Sequence, residues 1–175
     1  MRLTLCIAIL LLTSNGFAAA PSKFGCPAAL VEYHQFDFWI GHWEVRDPSG
    51  KSVLGHSRIE PVAEGCGISE HWTGAKGSNG VSYNAWDAET KHWHQFWIDN
   101  TPGGVLRLEG GLINGEMALQ GTTTNAQTGK PQLQRITWTP RKEGSVRQHW
   151  ETSDDGGKTW ADAFDGIYRK EASGH

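Results

Sequence analysis

The stretch Gln35-Phe36-Asp37-Phe38-Trp39-Ile40-Gly41-His42-Trp43-Glu44-Val45 decides the fold. Three large rings, Phe36, Phe38 and Trp39, run into Gly41-His42-Trp43, after which residues alternate in character as they do along a strand. A closed β-barrel needs this where its first strand leaves the plugged end. A ring-rich turn fills the end, a glycine admits close backbone approach, and a tryptophan packs across the floor.

On the C-terminal side, strand-like runs recur about every ten residues. They fall near 42–47, 53–62, 67–73, 81–87, 92–99, 105–109, 116–122, 132–139, 145–152 and 164–169. The breaks between them carry turn chemistry, including Asp47-Pro48-Ser49-Gly50, Asn100-Thr101-Pro102-Gly103-Gly104, Asn114-Gly115 and Thr128-Gly129-Lys130. With 22 glycines and no helical pattern between strands, sequential antiparallel hairpins are expected and a parallel sheet is excluded. About ten strands in a meander close into an all-β, antiparallel up-and-down barrel, which removes exposed edges; a two-sheet sandwich is the alternative. The segment Ser22–Phe36 is the one helical candidate. Pro27 suits a first turn, and Ala28, Ala29, Leu30, Val31 and Tyr33 would form an apolar stripe over a barrel end.

Residues 1–20 read as an export signal: Arg2, an apolar run from Leu3 to Leu12, and Ala18-Ala19-Ala20 for cleavage. The run is too short for a membrane span, which takes about twenty residues. Residues 21–175 then form a single barrel domain in the periplasm or outside the cell. Removal of Arg2 turns 16 basic residues into 15 against 19 acidic ones, and the net charge from −3 into −4. With no basic block and no basic amphipathic helix, nucleic-acid binding and stable membrane insertion are not expected. Cys26 and Cys66 survive cleavage and are expected to pair as a disulfide in an oxidising compartment.

Ser153-Asp154-Asp155-Gly156-Gly157-Lys158-Thr159-Trp160 matches the Asp-box pattern of sialidase propellers. A single copy of that element implies a hairpin whose side chains bond its own backbone, not a glycosidase site.

Period-two alternation separates the faces of the central strands. Taking the tryptophan-bearing face as interior gathers Glu70, Trp72, Ser82, Asn84, Gln95, Trp97 and Gln148 around one space. A few polar groups set among indoles are the composition of a small-molecule pocket, or of a filled interior whose polar groups satisfy one another. Glu70 beside Trp72 is the one candidate acid or base, through a raised pKa. His92 and His94 could hold a metal with His71 or His149 as third ligand, or one of these histidines a heme iron, but they alternate with the interior face and are expected to point outward. No metal ligand set, cofactor or nucleophilic motif is therefore assigned.

Phe36–Val45, Glu70-His71-Trp72, Trp93–Asp99, Arg135-Ile136-Thr137-Trp138 and Val146–Glu151 together resemble the DUF1579 family of uncharacterised bacterial proteins. The likeness spans nearly the whole mature chain, and Gly41-x-Trp43 is similar to the entry of lipocalin and other calycin barrels. It implies a calycin-like barrel that binds a small apolar or aromatic molecule, with no family activity to carry over. Nitrobindin-type heme barrels share only Gly41-x-Trp43 with this chain. The resulting expectation is an exported binding protein with no cofactor. An isomerase or hydrolase using Glu70, and a filled structural module, stand as alternatives.

Overall fold

A computed structural model describes residues 24–171. Ten antiparallel strands follow one another around a closed barrel: β1 (Gly41–Arg46), β2 (Val53–Val62), β3 (Gly67–Gly74), β4 (Asn79–Asp87), β5 (His92–Asp99), β6 (Val105–Ile113), β7 (Glu116–Thr124), β8 (Pro131–Pro140), β9 (Val146–Ser153) and β10 (Ala161–Lys170). Each pairs with its neighbour in sequence, and β1 closes the ring on β10 through Trp43↔Lys170 and Val45↔Tyr168. Every expected strand is present. The longest extension at one strand end is in β6, which continues through Gly110 and Gly111 to Ile113. The glycine pair ends the hydrophobic alternation without ending the ladder. A Cβ on Gly110 would lie 2.1 Å from the Ala118 carbonyl oxygen, so the close approach of β7 requires glycine there.

The opening stretch plugs one end as its residues dictate. Phe36 stacks on Trp39 at 5.1 Å and meets Trp93 and Trp138 edge-on at 5.6 and 5.1 Å. The Trp43 indole donates to the Trp39 carbonyl at 2.9 Å, and Trp39, Trp43, Trp93 and Trp138 are all fully buried. Gly41 has φ 150°, and a Cβ there would press on the Trp43 ring at 3.3 Å. The indole N–H groups of Trp39 and Trp138 have no hydrogen-bond partner among the described residues, at a cost of about 1–3 kcal/mol each. Burial of the rings offsets it.

The N-terminal segment forms the short helical element expected of it, as two 3-10 turns, Val31–His34 and Asp37–Trp39. The expected stripe is not buried: Ala28, Ala29, Leu30 and Val31 are exposed. The segment is held by polar and covalent ties. Cys26 is bonded to Cys66, and His34 bridges the Cys26 carbonyl at 2.9 Å and the Asp37 carboxylate at 2.7 Å. Hydrogen bonding to Asp37 raises the pKa of His34.

No helix among the described residues is long and apolar enough to cross a membrane. The expected export signal, residues 1–20, lies outside the described residues.

Candidate functional site

Opposite the plug, the barrel opens into a cavity of about 360 Å³. Its mouth is formed by Val53 and Leu54 at the start of β2, by Ala75, Lys76 and Ser78 in the β3–β4 turn, and by Asp99 and Ala163. The walls are Trp72, Trp97, Trp150 and Phe164, with Leu106 and Ile136 deeper in. The polar floor is Glu70, Gln95, Gln148 and Tyr168. Tyr168 joins the two ends of the barrel, its ring packed 5.9 Å from Trp39 and its hydroxyl donating to Gln148 Oε1 at 2.5 Å.

The wall indoles have their positions because glycines lie beneath them. A Cβ on Gly55 would stand 2.6 Å from the Trp72 ring, and one on Gly80 2.2 Å from the Trp97 ring. The bare backbone of the neighbouring strand lets each indole lie flat on the sheet.

Glu70 is the centre of the polar floor. It is 4% exposed, on β3 between Ser57 of β2 and Ser82 of β4. Ser57 Oγ donates to its Oε1 at 2.7 Å, and Ser82 Oγ to its Oε2 at 3.5 Å. Behind them the chain of donors continues outward: Asn84 Nδ2 donates to Ser82 Oγ at 3.0 Å, and Gln95 Nε2 to Asn84 Oδ1 at 2.8 Å. Burial pushes the Glu70 carboxyl up to about 7, against weaker downward pulls from Ser57, Tyr168 and Ser82. Tyr168 is driven well above its ordinary value by the same burial and then by the Glu70 charge, so it stays protonated. At the mouth, burial raises the Asp99 carboxyl, but hydrogen bonds from Thr101 and Trp97 together outweigh it and hold the group below its ordinary value.

The structure gathers the seven residues chosen from sequence, with one distinction among them. Glu70, Trp72, Gln95, Trp97 and Gln148 line the cavity. Ser82 and Asn84 do not: they are 0% and 1% exposed, and sit behind Glu70 and Gln95 as their hydrogen-bond partners. Their short side chains end at the wall, while the longer ones on β3 and β5 reach past them. Sequence reasoning missed Tyr168, Phe164 and Ser57, which lie on strands whose faces were left unassigned. The signal was present in Phe164-x-Gly166-x-Tyr168 and in Gly55-x-Ser57-x-Ile59, alternating with His56, Arg58 and Glu60.

The histidines do face outward. His94 lies 3.7 Å from Asp87 and 3.9 Å from Glu109, and His71 and His92 are exposed. The donors that do come together are His149, Glu151 and Asp162 on the outside of β9 and β10, all within 4.8 Å. There Arg135 occupies Glu151 through bonds of 3.0 and 2.9 Å. The Asp-box residues are structural: Asp155 accepts from the backbone of Lys158 and Thr159 at 2.9 Å and from the Thr159 hydroxyl at 2.6 Å, while Asp154 accepts from Asn125 and Gln132 at 2.9 and 3.1 Å. The bonds to Asp155, the Thr159 hydroxyl first, hold it down at about 2.

No family model matches the chain, and a comparison with curated proteins finds no match.

Proposed function

We propose that this barrel is an exported protein, of the kind the DUF1579 likeness implies, that binds a small, partly aromatic molecule in its open end. The carrying observation is the cavity itself. A space of about 360 Å³ with four aromatic walls and a four-residue polar floor falls at the small end of the roughly 300–1,000 Å³ typical of ligand sites. A filled structural module would leave no such space. The Cys26–Cys66 disulfide supports export to an oxidising compartment.

The test is titration of intrinsic tryptophan fluorescence with a neutral naphthyl alcohol. Wild type should show a saturable quench. Leu54→Trp, which fills the mouth, should lose it while keeping the native circular dichroism. An unchanged quench in Leu54→Trp would place binding elsewhere and remove the proposal.

The state of Glu70 favours a second reading. A carboxyl in the cavity floor, titrating at about 7, is poised as a general acid or base for isomerisation or hydrolysis of the bound molecule. Under that reading Glu70→Gln abolishes turnover while binding persists. A carrier shows no turnover in either protein.

A further inference from the structure

The ring N–H groups and the phenol O–H of the cavity lining are engaged by the protein. The Trp72, Trp97 and Trp150 indoles donate to Ser78 Oγ, Asp99 Oδ2 and Gln134 Oε1 at 3.2, 2.9 and 2.7 Å. Tyr168 gives its proton to Gln148, and Gln95 its amide hydrogen to Asn84. Acceptor capacity remains on the Glu70 carboxyl and the Asp99 carboxylate, which already accept from Ser57 and Ser82 and from Trp97 and Thr101, and on the carbonyl oxygen of Gln95. That oxygen has no partner among the described residues, although Gln95 is only 4% exposed. Against these stand the Gln148 amide nitrogen, the second amide hydrogen of Gln95, the Ser78 hydroxyl and Lys76, the last two on the exposed β3–β4 turn.

Charge in the lining is unequal. The groups that face Glu70 are Ser57 from β2, Ser82 from β4, Gln95 from β5, Gln148 from β9 and Tyr168 from β10, and none can carry a positive charge. Among the described residues, Lys76 at the mouth is the only basic one in the lining, against the two carboxylates Glu70 and Asp99. A buried carboxylate with neutral donors but no counter-charge is costly, and a cation of the ligand can supply what the chain omits. The negative faces of the indoles favour the same charge.

We infer that the cavity takes an organic cation, a small protonated aromatic amine. Its ring lies between the Trp97, Trp150 and Phe164 walls and its N–H groups point to Glu70 and Gln95. The inference rests on the reading of the barrel as a small-molecule site and names the ligand class for it. Because the cation pairs with the ionised carboxylate, binding below neutral pH must expel the Glu70 proton, and affinity must rise with pH through about 7.

The test uses three probes of one shape: 2-(1-naphthyl)ethylamine, 1-naphthaleneethanol and 1-naphthylacetate, titrated calorimetrically into the full exported protein. At about pH 8 the amine should bind at least about tenfold tighter than the alcohol, and the carboxylate weakest of the three. Glu70→Gln should abolish the amine's advantage over the alcohol, bringing the two affinities to within about threefold of each other, while native circular dichroism shows that the variant is folded. On wild type alone, titration at about pH 6 in buffers of different ionisation enthalpy should show release of close to one proton with the amine and none with the alcohol. Equal affinities for amine and alcohol, preference for the carboxylate, or no proton release with the amine would overturn the inference and leave the cavity as a binding site. Failure of all three probes to bind would remove both readings.

Discussion

Replacement of Glu70 by glutamine should change how the stability of the barrel depends on pH. Burial raises the folded-state carboxyl from its ordinary 4.5 to about 7, so the folded state holds a proton that the unfolded chain gives up. Stability from this group is therefore complete below about pH 4.5 and is lost as pH rises through about 7. At about 1.4 kcal/mol for each tenfold change in the equilibrium, the gap amounts to a loss of about 3 kcal/mol by about pH 8. Glutamine keeps the shape, can still accept from Ser57 and carries no charge to bury. The variant should match wild type at about pH 4 and exceed it by about 3 kcal/mol at about pH 8. Urea unfolding at both pH values measures the difference directly. Carboxylates held low elsewhere, such as Asp155 and Asp165, titrate well below this window and are common to both proteins. A wild type and variant with parallel pH profiles would refute the claim that Glu70 is buried without a counter-charge.

Other outcomes follow from the same contacts. Cys26→Ser with Cys66→Ser opens a loop spanning 40 residues in sequence and should cost about 4 kcal/mol in urea unfolding. Gly80→Ala drives a methyl into the Trp97 ring; about 1–3 kcal/mol of destabilisation and weaker probe binding should appear together. Phe36→Ala empties the centre of the plug, fully buried among Trp39, Trp93 and Trp138, and should cost about 3–5 kcal/mol in thermal or urea unfolding.

The barrel was legible in the sequence because its evidence is local. Turn residues mark the ends of the strands, and the ring cluster before Gly41 can plug only a closed sheet. The interior face of β4 was harder, since Tyr83 and Val81 compete with Ser82 and Asn84 for the inside. Hydropathy alone favours the wrong side: Tyr83 is 59% exposed, while Ser82 and Asn84 are buried. Taking the tryptophan-bearing face as interior left β4 open, with an aromatic on each side; the structure decides it, because Trp86 pairs across to Trp93 and the register carries that face along both strands. Tyr168 was not legible as a partner of Glu70. The two are 98 residues apart, and they meet only because the ring closes and β10 returns beside the first strand. The N-terminal segment misled for a related reason. Its apolar pattern suggested a packed helix, whereas the disulfide and the His34 bridge hold it as a strap, and its apolar side chains stay outside.

The most direct test of the account is a crystal structure of the protein with 2-(1-naphthyl)ethylamine. The ring should appear between Trp97, Trp150 and Phe164, with the ammonium within hydrogen-bonding distance of Glu70, about 2.7–3.2 Å. A probe seated instead on the exposed outer face around Tyr83 and Ile98, with the cavity unchanged, would contradict the central claim.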